Sequence, residues 1–342
     1  MTATEGNRSR AKPIGCALTA CLATLLTGCP FVYRSQPVAN MVNRLSDLNS
    51  EYDEYNAYAP SLINETLEII YSTNRGSAGS HFAVWKAAIT LKQEGRRLNI
   101  SARSEGPFLE QFDTPGNELG PLLHSEASGP GGASVDQLLN VELEPMYLFA
   151  GDHSRDDYDI YYSTYDESGW APLLALGANS SDNEAYVTFG SDALFFASDR
   201  GQSWDIYRVS YAGADILDAL ATGGTAAPVS ALNSAQADTC PYVHTHWYTG
   251  DKTIVFCSDR DGGLGGSDIY YAHYDNATQT WSEPKSIGTA INSPYNEYRP
   301  TLYVAFTLEP IHWLLLFSSD RPGGQGGYDL YLAVFGELPF DS

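Results

Sequence analysis

Five acidic residues recur at nearly regular spacing and are the residues best placed to do chemistry. They are Glu54, Glu118, Glu184, Asp238 and Glu297, separated by 64, 66, 54 and 59 residues. Equivalent positions of a closed repeat fold lie around one axis, so these carboxylates could form an acidic ring near a central channel. A pair of carboxylates supports glycoside hydrolysis, and a larger set could hold a cation.

The same regularity supports a structural alternative. Each acidic residue follows an Asn-Ser or similar turn, and its carboxylate could cap backbone N–H groups of its own unit. Catalysis breaks symmetry, whereas these five positions preserve it. We therefore assign no catalytic residue from the sequence and expect the carboxylates to stabilise the units that carry them.

Two further elements recur with the acidic positions. An aromatic-small-Ser-Asp-Arg element occupies 196–200, 256–260 and 317–321, with weaker copies at 71–75 and 149–153. An Asp-Ile/Leu-Tyr element follows it. Residues that recur in every unit usually serve the unit, and we expect a structural role for Asp199, Arg200, Asp205, Asp259, Arg260, Asp268, Asp320, Arg321 and Asp329.

Two histidines and two cysteines add candidates near the fourth acidic position. His244 and His246 would share one face of a strand and could begin a metal site. No third ligand follows from their spacing, so we expect neither a metal nor another cofactor. Cys240 and Cys257 flank an apparent hairpin, which leaves both a disulfide and two free thiols open.

The elements that must position these residues are short β-strands separated by turns. Each unit has about four apolar runs, and glycine-rich turns such as Gly262–Gly266 separate the two main elements. Four strands per unit predict an all-β β-propeller, with five four-stranded blades. Six blades remain open if the long first interval hides a decayed copy. An insertion is expected at about 123–143.

The ends of the chain suggest how such a ring would close. The last unit has no clear fourth strand, while 31–38 resembles the fourth-strand element found elsewhere. We expect this N-terminal strand to complete the last blade, because closure removes exposed strand edges.

The first 28 residues have the pattern of an export signal. Arg8, Arg10 and Lys12 precede a mostly apolar stretch from Pro13 to Leu26, which is too short to span a bilayer. The domain boundaries are therefore 1–28 for the signal peptide and 29–342 for one propeller domain.

Two family resemblances extend this interpretation. Leu26-Thr27-Gly28-Cys29 resembles the lipobox of bacterial lipoproteins, which implies lipidation at Cys29 and a membrane anchor. Pro30 follows, and the resemblance then implies an outer-membrane lipoprotein, on the periplasmic side or at the cell surface. The three repeated elements resemble the WD40-like propeller repeats of TolB-type periplasmic proteins, which implies a cell-envelope location.

The net charge of the chain limits the classes of partner that it can bind. The formal net charge is −23, which disfavours nucleic acid and anionic lipid headgroups. The leading interpretation is a non-catalytic scaffold that binds an envelope protein or a glycan. The alternative is a carbohydrate-active hydrolase, which would require two or three carboxylates converging at the channel within about 5–10 Å. A channel plugged by tyrosines would remove that alternative.

Overall fold

The computed structural model describes residues 40–63, 65–125, 145–152, 157–211, 215–246, 249–305 and 307–336. Three sequence-based predictions lie outside these residues: the signal peptide with Cys29, the segment 31–38, and most of the insertion at 123–143.

The described strands form five antiparallel sheets, each of which is one blade of a propeller. Blade 1 contains β2 (Glu54–Ile63), β3 (Thr66–Thr73), β4 (Ala83–Glu94) and β5 (Arg97–Pro107). Blade 2 contains β6 (Glu118–His124), β7 (Met146–Gly151), β8 (Asp159–Asp166), and the short β9 (Gly169–Trp170) and β10 (Leu174–Ala175). Blade 3 contains β11 (Glu184–Phe189), β12 (Ala193–Ser198), β13 (Asp205–Ser210) and β14 (Ala227–Pro228).

The last two blades follow the same plan. Blade 4 contains β15 (Asp238–Thr245), β16 (Lys252–Ser258), β17 (Asp268–Asp275), β18 (Thr280–Trp281) and β19 (Lys285–Ser286). Blade 5 contains β20 (Glu297–Ala305), β21 (His312–Ser319) and β22 (Asp329–Phe335), and its outer strand is β1 (Met41–Arg44). The prediction of an all-β propeller with five blades is confirmed, and the six-blade alternative is excluded.

Blade 5 is closed by a strand from the N-terminal side of the chain, as predicted. Strand β1 pairs antiparallel with β22, with Met41 opposite Val334 and Arg44 opposite Tyr331. The closing strand is Met41–Arg44, which follows the segment 31–38 that we assigned to this role. Closure by both ends of the chain satisfies the edge of β22, which a linear array would leave open.

Each blade begins its inner strand at one of the five acidic residues. Two residues later every inner strand contains a β-bulge whose residue has a positive φ of 50–61°, namely Asn56, Gly120, Tyr186, Cys240 and Arg299. Bulges bend a strand and redirect its side chains. Because four of these residues are not glycine and the left-handed region is costly for them, the bulges mark the channel as a strained part of the fold.

The core lies between the blades and is built from alternating apolar positions of the strands. Phe149, Phe196, Phe256 and Phe317 occupy equivalent buried positions in blades 2 to 5, with Tyr71 in blade 1. Among the described residues the α-helical content is one short helix, α1 (Ile216–Thr222), with Asp215 as its N-cap. No described helix has both the length and the apolar character needed to cross a membrane.

Candidate active site at the channel mouth

The five acidic residues are buried at the starts of the inner strands. In blade 5, Glu297 accepts hydrogen bonds from the backbone N–H and hydroxyl of Ser293 at 2.8 and 2.6 Å. The Arg321 guanidinium donates to the same carboxylate at 2.8 Å. Blades 1, 3 and 4 repeat this ion pair as Arg75–Glu54, Arg200–Glu184 and Arg260–Asp238, at 2.8, 2.8 and 2.6 Å.

This geometry does not produce the acidic ring that the sequence allowed. The side chains of Glu54, Glu184, Asp238 and Glu297 are fully buried, and each carboxylate is bound by groups of its own blade. A carboxylate paired with a buried arginine and two turn donors is a structural element rather than a free acid or base. A hydrolase of this fold must therefore use other carboxylates.

The aspartate of Ser-Asp-Arg joins neighbouring blades through an asparagine. In blade 3, Asn183 donates its backbone and side-chain N–H groups to Asp199 at 2.8 and 2.7 Å. The amide oxygen of Asn183 accepts the backbone N–H of Tyr158 from blade 2 at 2.9 Å. In blade 5, Asn296 and Asp320 form the same arrangement.

The aspartate of Asp-Ile/Leu-Tyr has a different structural task. Asp329 accepts the backbone N–H groups of Gln325 and Gly326 in the glycine-rich turn. Asp268 does the same in blade 4 with Leu264 and Gly265. These bonds fix the turns that separate the second and third strands of blades 4 and 5.

Aromatic side chains surround the channel at the end where the inner strands begin. We call this set the aromatic mouth, and it consists of Tyr55, Phe82, Tyr158, Trp204, Tyr298 and Tyr328, all half-buried. Tyr55 packs against Phe82 and Tyr328 with ring centroids 4.8 and 5.8 Å apart. Half-exposed rings around a concavity suit ligands with apolar faces and polar edges.

Blade 4 interrupts this mouth. Ala237 stands where other blades have Asn or Asp, so the described structure has no side-chain amide there to bind Asp259. Ser267 replaces the aromatic residue that precedes the third strand, and Thr239 replaces Tyr298 of blade 5. At one place the repeat therefore loses its inter-blade bond and the aromatic ring that precedes the third strand.

Two carboxyl groups at this interruption differ from their counterparts. Asp259 is exposed, whereas Asp199 and Asp320 are half-buried beneath their asparagines. Desolvation and the nearby Asp238 and Asp268 charges raise the pKa of Asp259, against a hydrogen bond from Ser267 that lowers it. Burial, followed by the Asp238 charge, also raises the pKa of Asp205.

Asp205 and Asp259 lie on neighbouring blades, and desolvation followed by the Asp238 charge raises the pKa of each. Trp204, which precedes Asp205, accepts the backbone N–H of Asp238 through its carbonyl at 2.7 Å. Sequence reasoning grouped Asp205 and Asp259 with the structural aspartates. Aligning Ala237 with Asn183 and Asn296 would have separated Asp259 from that group.

At the floor of the mouth, which includes Tyr298, the channel is filled. The rings of Tyr186 and Tyr298 pack at 5.8 Å with their hydroxyls 3.2 Å apart, and Arg299 is fully buried beneath them. Cys240 and Cys257 are buried free thiols, so the disulfide that the sequence allowed is not formed. The bulge explains this, because Cys257 pairs in register with Thr239 and leaves Cys240 in the bulge. This tyrosine-filled channel rules out a hydrolase whose carboxylates converge inside the channel, so any substrate must lie at the mouth.

Blade 2 departs from the repeat in another way. His153 stands in sequence where the other blades have arginine, and the Glu118 carboxylate accepts bonds from Thr114 at 3.2 and 2.6 Å. Burial raises the pKa of Glu118 to about 8, and the neighbouring Asp113 adds to the shift. Glu118 therefore titrates near neutral pH inside a blade interface.

The two histidines lie at the far end of β15, away from the mouth. His244 and His246 line a groove of about 440 Å³ that Lys252, His273 and Trp313 also line. Burial lowers the pKa of His244 to about 4. Within the part of the chain that the structure describes, no three His, Cys, Asp or Glu side chains come together as a metal site.

Comparison with solved structures identifies proteins of the same fold. An α-L-arabinofuranosidase from Lactobacillus brevis matches at 10% identity and a TM-score of 0.51, covering 85% of this chain and 93% of its own. A GH43_1 enzyme from Xanthomonas citri matches at 10% identity and 0.50, covering 86% and 90%. A family 117 glycoside hydrolase from Zobellia galactanivorans matches at 12% identity and 0.48, covering 89% and 92%.

No protein-family model matches the chain, and a search of curated proteins finds no significant match. At these identities the structural matches show a five-bladed propeller fold. They contradict our leading interpretation of a non-catalytic protein- or glycan-binding scaffold, because the matches with TM-scores of 0.51 and 0.50 are an α-L-arabinofuranosidase and a GH43_1 enzyme. The lack of a catalytic motif in the sequence is therefore no evidence against catalysis.

Proposed function

We propose that the protein is a carbohydrate-active hydrolase whose substrate rests on the aromatic mouth, with its reacting bond at the boundary of blades 3 and 4. The observation that carries the proposal is the interruption at blade 4. There Asp259 is exposed, and desolvation together with the Asp238 charge raises the pKa of both Asp259 and Asp205. The propeller matches with TM-scores of at least 0.50 are enzymes of carbohydrate chemistry.

The proposed chemistry needs one protonated and one ionised carboxyl group. Asp259 is the general acid, because desolvation and like charges keep its proton to higher pH. It donates that proton to the glycosidic oxygen as the bond to the anomeric carbon breaks. The Asp205 carboxylate supplies the second group, which either attacks the anomeric carbon or activates water, depending on the separation of the two carboxyls.

The aromatic mouth would hold the sugar. Trp204 lies next to Asp205 in the chain, and Tyr55, Tyr298 and Tyr328 extend the apolar surface across blades 1 and 5. Aromatic rings bind the apolar faces of sugars. The gap in the mouth at blade 4 leaves room beside Asp259.

Activity on a glycan panel tests the proposal. The purified protein, incubated with aryl glycosides and plant and bacterial polysaccharides, should release reducing sugar. The double variant D205N/D259N should lose this activity while keeping the melting temperature of the wild type within a few degrees. Release of no sugar from any member, or undiminished release by the double variant, would contradict the proposal.

We also propose that the hydrolase acts in the cell envelope as a TolB-type lipoprotein anchored through Cys29. The support is the lipobox-like sequence at 26–29 together with the repeated elements. Metabolic labelling with an alkyne fatty acid should label the wild type and not C29S, and fractionation should place the labelled chain in the outer membrane. Equal labelling of both forms would refute the anchor.

A further inference from the structure

Arg299 lies in the centre of the channel without a carboxylate partner. It is fully buried, the bulkiest such side chain among the described residues. Its Nη1 donates only to the carbonyls of Tyr186 and Pro241, at a long 3.4 Å each, and its ring contact is Tyr186 at 5.5 Å. Its Nε and Nη2 atoms have no hydrogen-bond partner.

A buried guanidinium needs a negative charge nearby, because leaving it unpaired costs several kcal/mol. The other arginines of the repeat show this rule, since each contacts the acidic residue of its blade. Those four carboxylates already form ion pairs with the arginines of their own blades. Arg299 comes from an inner-strand bulge rather than from Ser-Asp-Arg and so has no acidic counterpart in the repeat.

The three tyrosines around Arg299 and the Cys257 thiol are neutral. Burial raises the pKa of Tyr58 and Tyr242, and it raises the pKa of Tyr303 to about 12. Burial likewise raises the pKa of the Cys257 thiol. These side chains can donate or accept hydrogen bonds but cannot supply the missing charge near neutral pH.

Cys240 is the competing source of negative charge. Burial raises the pKa of its thiol, but the hydrogen bond with Cys257 and the Arg299 charge bring it below its ordinary value. The guanidinium nevertheless donates to neither sulfur, since only the backbone N–H of Arg299 reaches Cys257, at 3.2 Å. The Nε and Nη2 donors of Arg299 therefore have no thiolate partner.

A second unpartnered group lies at the equivalent bulge of the neighbouring blade. Asn56 is fully buried, and neither its amide nitrogen nor its amide oxygen has a hydrogen-bond partner. Asn56 and Arg299 both have a left-handed backbone conformation, with φ of 59° and 50°. Two neighbouring blades thus present unused donors at the equivalent bulge of their inner strands.

We propose that the channel binds a small monovalent anion of the chloride class between the Arg299 guanidinium and the Asn56 amide. The anion supplies the charge that the repeat lacks at this level and accepts the unused N–H groups. It ties blades 1 and 5 to blades 3 and 4 from the inside. The site is structural and is separate from the carboxyl pair at the mouth.

Thermal unfolding of the full chain tests the site with chloride as the probe. Melting temperatures are measured as sodium gluconate is replaced by sodium chloride at constant ionic strength, which holds charge screening fixed. We expect the melting temperature to rise with the logarithm of the chloride concentration, by about 4 °C when chloride is at a hundred times its Kd. R299M should abolish the rise, whereas C240A should retain it.

Two outcomes would overturn the proposal. A wild type that melts at the same temperature in both salts lacks the site, and a thiolate absorbance near 240 nm that C240A removes would then assign the counter-charge to Cys240. A chloride effect that persists in R299M would place the anion elsewhere. If R299M does not fold, bromide-soaked crystals of the wild type should show an anomalous peak beside Arg299, and its absence would refute the site.

Discussion

Blades 4 and 5 have the same three inner strands and the same acidic–arginine ion pair but differ where they face the channel mouth. Blade 5 keeps Asn296 on Asp320 at 2.7 Å and carries Tyr298 and Tyr328 in the mouth. Blade 4 has Ala237 in place of that asparagine, and its Asp259 is exposed. The ion pair thus maintains the blade, and the loss of the inter-blade bond frees a carboxyl group for chemistry.

The largest expected effect on stability concerns the acidic–arginine ion pair that both blades contain. R321A in blade 5 and R260A in blade 4 would each leave a fully buried carboxylate without its partner. We expect each to lower the free energy of unfolding by about 3–5 kcal/mol. Denaturant titration of both variants measures this. A loss of stability in only one of the two variants would show that the ion pair does not stabilise both blades equally.

Blade 2 offers a pH-dependent contrast, because its Glu118 lacks the arginine found in the other blades. Its pKa is raised to about 8 in the fold, so the native state holds a proton that the unfolded chain releases above about pH 4.5. Stability should therefore fall as the pH rises from about 4.5 to 8. E118Q should flatten that part of the stability–pH curve, while an unchanged slope would reject the assignment.

The aromatic mouth should matter for binding more than for the chemical step. Truncating Trp204 removes a ring beside Asp205 but leaves both carboxyl groups in place. We expect W204A to raise KM about tenfold with a smaller change in kcat, as an aromatic contact of about 1.4 kcal/mol implies. Steady-state kinetics on the substrate found in the glycan panel measures the split, and F195A, which is buried between blades, serves as a stability control.

Restoring the asparagine of the repeat in blade 4 should give the smallest change in the free energy of unfolding. That change should be a gain in stability rather than a loss. A237N would supply the amide that Asn296 supplies in blade 5, and its bonds to Asp259 should stabilise the fold by about 1 kcal/mol. The same bonds favour the charged carboxylate and should lower the pKa of Asp259 and the rate of hydrolysis. A variant that is both more stable and more active would contradict this reasoning.

The blades could be predicted from the sequence because their signals are local. Ser-Asp-Arg and Asp-Ile/Leu-Tyr mark adjacent strand ends, and the acidic residue marks each inner strand, so five blades and their closure followed. The closing strand was misplaced because Met41–Arg44 has little pattern of its own. Its position is set by pairing with β22, almost 300 residues away.

The site was harder to predict because it depends on departures from the pattern. Asp259 has the same sequence neighbours as Asp199 and Asp320, and only Ala237, on another loop, distinguishes it. The bulges at Cys240 and Arg299 also escaped notice, since a left-handed residue in a strand has no fixed residue type here. Both features require knowing which loops meet across blades.

The most direct test of this account compares two equivalent aspartates. D259N and D320N make the same change at the same repeat position, one at the interruption and one beneath Asn296. We expect D259N to lower kcat/KM by about 10²–10⁴-fold, as loss of a general acid does, and D320N to leave kcat/KM near that of the wild type. Equal losses in both variants, or no loss in D259N, would show that the interruption at blade 4 is not the active site.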